Sequence, residues 1–470
     1  MDFLARRGTL ITLVLGIGLA WIFYELHRIE EPALHVDAAW PWMAGAFAVY
    51  FLVLLYVGRF WGRSFVSIEI LVGFAVVFRV IMLFSDPHLS DDLYRYIWDG
   101  KVGNYGINPY RYEPQSDLLT GLRDDAIYPS INHKDIPTIY PPVAQWIFRG
   151  VTWISLHPIA MKTAMVIFDI GIIFILIAML RQIDRALSWV VAYAWNPLVV
   201  TEFAGSGHMD SIGIFFMMAA ILIVLKARSI WAAGVMGLAF ATKMAGAPLL
   251  LFFEDVRHRW KTFLFVLATF VAVVVLAYWP FLDASDRLFT ALVEYSTRWE
   301  FNGFLYSYVK SALTKLLEND IHPTEFLGIV TENKPRLLTK LILGAGFVSF
   351  LAILLVRHYR KNFENQKLNV LRAAYLLTAV LLLVSPTLHP WYVIWVVPFL
   401  CFYPNPGWFI FSGLVLLAYS NLPGYRSTGV WREDDMILLV QYVPFYTIFL
   451  FFVARSLWRK RKAHPSEKAE

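Results

Sequence analysis

Two adjacent aspartates open the segment Ser90-Asp-Asp-Leu-Tyr-Arg-Tyr-Ile-Trp-Asp-Gly-Lys101. A carboxylate is a side chain able to take a proton from a hydroxyl as a general base. Ser90 suits an N-cap, and Asp91 and Asp92 suit the first turn of a helix. On that helix Asp92, Tyr96 and Asp99 share one face, while Asp91 and Arg95 share another. The plain reading is a capped surface helix with one ion pair, worth about 0.3–0.5 kcal/mol. The chemical reading is a carboxylate held as a base. A helix N-terminus weakens an Asp in that role, so this reading requires a second carboxylate or partial burial beside it.

Other polar sets recur along the chain. Asn104-Tyr-Gly-Ile-Asn-Pro-Tyr110 ends the helix in a turn, and Tyr140-Pro-Pro142 supplies a rigid aromatic. Ala204-Gly-Ser-Gly-His-Met-Asp-Ser211 packs His208 and Asp210 into one short hairpin. Gly205-x-Gly207 follows no strand and lacks a third glycine, so it is no dinucleotide fingerprint. His208 and Asp210 supply two of the ligands a divalent cation needs, too few to define a metal site, and the sequence defines no cofactor. Lys243 interrupts an apolar stretch; a cation at membrane depth is costly and usually functional, and a phosphate is its natural partner. Tyr295-Ser-Thr-Arg-Trp-Glu-Phe-Asn-Gly303 carries Arg298 and Asn302, and Ser385-Pro-Thr-Leu-His-Pro-Trp-Tyr392 carries His389, Trp391 and Tyr392. Each set alone reads as an interface belt or a tight turn. Their convergence on one side of a membrane argues for a shared site.

The elements that position them are membrane helices. Of the 470 residues 58% are hydrophobic and 16% charged, against roughly 25% charged in a soluble domain. Candidate spans are 8–26, 40–58, 67–84, 160–180, 186–203, 211–226, 261–281, 337–356, 369–386, 390–403, 407–420 and 437–457. Each is read as a crossing of the hydrocarbon layer. The first is read as an uncleaved span. Basic residues at Arg6, Arg7, Arg59 and Arg63, in Arg357–Lys367 and in the tail Arg455–Lys462 put both termini in the cytoplasm and Ser85–Tyr140 outside. The same pattern explains the net charge of +6 as topology and argues against nucleic acid as a partner. Cys401 is the single cysteine, which excludes an internal disulfide. Residues 141–157 read as lying along the interface, and 231–253 as a broken, re-entrant pair. The expectation is an all-α polytopic protein with about twelve transmembrane helices, ten to fourteen at the limits, and a large first outer loop holding short interface helices.

The ordered set from Asp91-Asp92 through Gly-Ile-Asn-Pro-Tyr, Tyr-Pro-Pro, Asn196-Pro, Gly-His-Met-Asp and the Lys243 helix to Ser-Pro-Thr-Leu-His-Pro-Trp-Tyr resembles the GT-C-type glycosyltransferases. The likeness is closest to bacterial polyprenol-phosphate-mannose-dependent mannosyltransferases, and it covers about 67 to 420. The resemblance implies an inverting transfer of a hexose, mannose first, from a polyprenyl-phosphate sugar to a glycan or lipid acceptor. It implies an active site on the outer face of the plasma membrane, with Asp91 or Asp92 as base; the match does not separate them. Arg95, Tyr96, Asp99, Tyr110, Tyr140, His208, Asp210, Lys243, Arg298, Asn302, His389, Trp391 and Tyr392 are the expected substrate-binding set. The expected division is two extra helices in 1–66, a catalytic membrane module in 67–284 that includes the loop 85–140, a C-terminal part in 285–457 and a basic tail in 458–470. A lipid-glycan flippase or secondary transporter is the rival from another class, and a polyprenyl-diphosphate glycan polymerase or ligase the nearer one. A transporter would carry charges near the midplane in matched repeats.

Overall fold

Asn196-Pro197 breaks the backbone inside an apolar run, and a broken segment at membrane depth needs protein on every side. It has it: every residue from Trp189 to Ser211 is buried in the computed structural model. The structure describes residues 2–59, 67–87, 89–254, 256–317, 324–326, 329–331, 333–360 and 363–463. Arg63 and the end of the basic tail beyond 463 lie outside the described residues.

Three helices, α1 (Asp2–His27), α2 (Val36–Arg59) and α3 (Ile68–Leu83), lead into the first long loop. That loop holds α4 (Asp92–Asn104) and α5 (Pro142–Ile154), and α6 (Pro158–Gln182) leaves it. The broken segment follows, with α7 (Val191–Ala194), α8 (Pro197–Val200) and a π-helical turn Thr201–Gly205. Next come α9 (Asp210–Leu225), α10 (Ser229–Lys243), α11 (Val256–Tyr278), α12 (Thr290–Arg298) and α13 (Phe304–Leu316). The chain closes with α14 (Lys334–Tyr359), α15 (Phe363–Val384), α16 (Val397–Leu400), α17 (Pro406–Leu414), α18 (Leu422–Thr428) and α19 (Asp435–Ala463). Apart from one antiparallel pair, β1 (Thr324–Phe326) with β2 (Ile329–Thr331), the described architecture is helical.

Among the described residues six helical stretches are long and apolar enough to cross a membrane, and two shorter ones are apolar. Their outward faces carry exposed Leu, Ile, Val and Phe, such as Phe265, Val275, Ile342 and Val348. Water would penalise such continuous apolar surface, whereas lipid accepts it. This is a multi-pass membrane protein.

Two polar devices hold the core. Asn196 Oδ1 caps the Leu198 amide at 3.0 Å, and its Nδ2 reaches Tyr50 Oη and Ser412 Oγ, both at 3.3 Å. Tyr50 on α2 also donates to the Ala192 carbonyl at 2.6 Å, so side chains from α2 and α17 hold the broken segment in place. Arg79 on α3 is fully buried and binds Asp169 on α6 through Nε at 2.6 Å and Nη2 at 3.1 Å. Its Nη1 donates to the carbonyls of Ala75 and Ala194, and Tyr193 donates to Asp169 at 2.7 Å. A buried pair is tolerable when it is well hydrogen-bonded, and here each of the three guanidinium nitrogens makes a bond, but losing one partner strands a charge. Arg79→Met should therefore lower stability by about 3–5 kcal/mol. The check is thermal unfolding in detergent, where Arg79→Met combined with Asp169→Leu should recover most of the loss.

The interrupted stretch after α9 doubles back on itself. At one end of α10, Lys243 Nζ lies 3.3 Å from Asp210 at the start of α9. At the other end, Ser229 Oγ donates to the Phe253 carbonyl at 3.1 Å and to Glu254 at 2.6 Å. The chain goes out along α10 and returns through a 3-10 stretch, Ala247–Phe252, after a left-handed turn at Met244 and Gly246. Meanwhile α5 packs flat on α4. A Cβ added at Gly100 would lie 2.6 Å from the Phe148 carbonyl carbon, too close for any contact. Gly100→Ala should push α5 off α4 and cost about 1–3 kcal/mol, read as a lower melting temperature.

Candidate active site

One end of the bundle gathers the polar sets. The N-terminus of α4 with the loop before it, the loop 132–141, the end of α10, and the segments around Arg298, His389 and α18 enclose a cavity of about 880 Å³. Asp91, Asp92, Arg95, Tyr140, Lys243, Arg298, His389, Trp391 and Tyr392 line it.

The two aspartates have different surroundings. Asp92 begins α4, and Asp91 is the residue before it, with Ser90 Oγ accepting the Asp92 amide at 3.3 Å. Asp91 is ion-paired with Arg426 on α18, a residue 335 positions away. Burial pushes the Asp91 carboxyl above the usual range, and the Arg426 guanidinium opposes that push. Asp92 Oδ1 accepts from Asn132 Nδ2 at 2.7 Å, and Oδ2 lies 3.9 Å from His208 Nδ1. Among the described residues no Lys or Arg makes an ion pair with Asp92.

Arg95 does not pair with Asp91, the partner its helical spacing allows. Its Nε donates to Asp99 at 2.9 Å, and Nη1 and Nη2 donate to the carbonyls of His133 and Ile136 at 3.0 and 2.9 Å. Arg95 thus pins the loop that carries Asn132. Burial keeps His133 below the ordinary imidazole range, and its ring packs on Trp299 at 4.5 Å.

Lys243 sits on Asp210 at 3.3 Å and over the Tyr392 ring at 5.0 Å. The other Asp210 oxygen accepts the Trp395 indole at 2.7 Å. Tyr392 Oη meets Tyr295 Oη at 2.8 Å. Along one wall four rings stack in sequence: Phe301 on His389 at 4.4 Å, His389 on Trp391 at 4.3 Å, and Trp391 on His208 at 3.8 Å.

Several expected binding residues do not line the cavity. Tyr96 is buried against Phe148 at 4.7 Å and Tyr140 at 4.9 Å. Asp99 is buried with Arg95 and Gln145. Tyr110 is buried and donates to the Tyr140 carbonyl at 2.7 Å. Asn302 adopts a positive φ of 53° and binds Gln441, Leu388 and, through its amide, Glu433. His208 and Asp210 lie behind the wall, fully buried. In each case packing against a neighbouring element turns the side chain away from the opening, so these residues support the walls. Asn132, Tyr295, Arg426 and Trp431 line the cavity and were not among the expected residues. Nothing local marks Asn132 or Arg426. Among the described residues no three His, Cys, Asp or Glu are grouped to hold a metal ion.

A helical membrane protein with carboxylates and cations around one terminal cavity fits the glycosyltransferases that work within membranes. Residues 8–257 match the alpha-(1->6)-mannopyranosyltransferase N-terminal domain, and residues 138–386 match glycosyltransferase family 87. Each match exceeds half of the chain. The chain belongs to these glycosyltransferase families. It is 26% identical over 151 residues to an alpha-(1->6)-mannopyranosyltransferase of Mycobacterium tuberculosis, covering 31% of this chain and 25% of that one. It is 22% identical over 271 residues to a probable alpha-(1->6)-mannopyranosyltransferase of Mycolicibacterium smegmatis, covering 55% of this chain and 45% of that one. The matched part thus spans less than half the length of either relative. No solved structure matches.

Proposed function

We propose that this protein is an inverting mannosyltransferase that uses a polyprenyl-phosphate sugar on the outer face of the plasma membrane. The observation that carries this reading is the two-part cavity. Its polar part holds Asp91, Asp92, Lys243, Arg298 and His389. Its apolar part is lined by Met217, Met244, Leu249, Phe347, Leu377, Leu381 and Leu382. One continuous space therefore suits both a charged head and a hydrocarbon tail, and a prenyl phosphate has both.

In this reading the acceptor hydroxyl enters past Trp299, Tyr425 and Trp431, which line the same cavity. Asp92 takes its proton as the oxygen attacks the anomeric carbon. The bond from that carbon to phosphate oxygen breaks, and the polyprenyl phosphate leaves with the electron pair. Lys243 stabilises the growing phosphate charge, so no proton donor is needed. Asp92 is preferred over Asp91 as base because Arg426 already neutralises Asp91. The acceptor is a glycan or glycolipid.

The broken segments 187–205, 390–403 and 406–421 count as one crossing each, and 229–254 returns to its own side. With α1, α2, α3, α6, α9, α11, α14, α15 and α19 this makes twelve crossings. Both termini then lie in the cytoplasm, and Arg181, Arg185, Lys226 and Arg228 lie at the end away from the cavity, as the charge rule asks.

The test is transfer by purified protein in lipid, given labelled polyprenyl-phosphate mannose and a mannoside acceptor. Transfer with inversion supports the reading. Absence of transfer from any polyprenyl-phosphate hexose would sink it, and a polyprenyl-diphosphate glycan that does react would replace it with a polymerase or ligase.

A further inference from the structure

His208 is buried beside Asp92 yet does not line the cavity. Its imidazole stands between two carboxylates. Nε2 lies 3.2 Å from Glu202 Oε2, and Nδ1 lies 3.9 Å from Asp92 Oδ2. Neither nitrogen, nor Glu202 Oε2, makes an aligned hydrogen bond among the described residues. Glu202 is fully buried, and its other oxygen accepts from Tyr419 at 2.8 Å. A buried carboxylate oxygen and a buried imidazole without formed bonds are expensive to keep for packing alone.

The backbone builds this arrangement deliberately. The π-helical turn Thr201–Gly205 brings Glu202 back under the hairpin, and the His208 amide donates to the Glu202 carbonyl at 3.0 Å. Such turns interrupt helices most often at functional positions. Gly207 adopts a φ of +78°, a left-handed conformation that favours glycine, and a Cβ there would crowd the Leu93 side chain on α4 at 2.8 Å. Stacking on Trp391 then fixes the imidazole plane.

We propose that His208, oriented by Glu202, takes up the proton that Asp92 removes from the acceptor hydroxyl. The inference rests on Asp92 being the base of a glycosyl transfer. A separation of 3.9 Å is too long for a shared proton at rest, and catalytic hydrogen bonds often close only when substrate is bound. The hydroxyl proton passes to Asp92 while the carbon–phosphate oxygen bond breaks. It then moves from Asp92 Oδ2 to His208 Nδ1, leaving an imidazolium between two carboxylates. After the products leave, the proton returns through Asp92, the member of the set that faces the cavity, to water. Glu202 and His208 act through Asp92 and touch no substrate.

The test compares a hydroxyl acceptor with azide, an anion that attacks the anomeric carbon with no proton to lose. With polyprenyl-phosphate mannose as donor, His208→Gln should lower kcat for the hydroxyl acceptor about 100-fold and leave the donor KM and the rate of glycosyl azide formation within about twofold. Glu202→Gln, which keeps the shape of the site, should lower the hydroxyl rate about tenfold and spare azide likewise. Wild-type hydroxyl transfer by both variants, or an equal loss with azide, overturns the relay and leaves a structural role. A wild-type protein that transfers to neither acceptor overturns the glycosyl-transfer reading and the relay with it. Loss of hydroxyl transfer in Asp92→Asn alone, with both relay variants active, overturns the relay only.

Discussion

Asp92→Asn should lower kcat/KM for transfer to a hydroxyl acceptor by about 10³-fold, within the range that a positioned general base contributes. The substitution keeps the volume of the side chain and its contact with Asn132, so the helix and the cavity wall stay in place. What it removes is the carboxylate charge that makes the side chain a base. In the proposed reaction the donor phosphate is held by other groups, so donor binding should change little and the loss should fall on kcat. Asp91→Asn is the comparison. It frees Arg426 from its ion pair and should cost less, with the loss spread over acceptor KM. If Asp91→Asn is the silent variant and Asp92→Asn stays active, the base is Asp91 and the roles reverse. Labelled donor, initial rates and both substitutions in the same membranes suffice.

If Lys243 faces the departing phosphate as proposed, Lys243→Met should reduce kcat about 10²–10³-fold and weaken the donor as well, because such a cation acts both on binding and on the transition state. Two features prepare this lysine. Asp210 fixes its ammonium and is itself held by the Trp395 indole, so the charge is aimed before the donor arrives. The turn at Met244 and Gly246 ends α10 at Lys243, which places its side chain at the junction of the polar and apolar parts of the cavity. Methionine keeps the aliphatic stem against Tyr392 and removes only the charge. Lys243→Arg should retain more activity than Lys243→Met, since it keeps the cation. A donor analogue without phosphate should bind the wild type and Lys243→Met alike, and that comparison isolates the charge from the packing. Unchanged rates in Lys243→Met would remove Lys243 from the phosphate site.

Much of this molecule was legible in its sequence. Apolar runs separated by basic and polar loops announce a membrane protein, because the cost of placing charge in hydrocarbon is local to each residue. The interruption at Lys243, Gly246 and Pro248 marks a helix that cannot continue, and the chain does reverse there. The order of short motifs carried the resemblance to glycosyltransferases, and the family matches bear it out. Helical spacing also brought Asp92 and Tyr96 to related faces. Spacing misled for Arg95, which has carboxylates at both i−4 and i+4. Only the loop carbonyls of His133 and Ile136 turn it toward Asp99.

What the sequence by itself determined is the solvent and the inventory: a chain made for lipid, with most of its titratable residues in the loops between apolar runs and a few, such as Arg79 and Asp169, inside them. Those properties belong to single residues and to their near neighbours. What only the tertiary structure decided is which of them meet. Arg426 reaches Asp91, Tyr419 reaches Glu202, Arg79 reaches Asp169, and His208 retreats behind Trp391 instead of lining the cavity. The members of each pair come from separate segments of the chain, and no local period relates them. Close packing of those helices selects the pairs, because a charge or imidazole shut away from water needs a partner at a few ångströms whatever its distance along the chain.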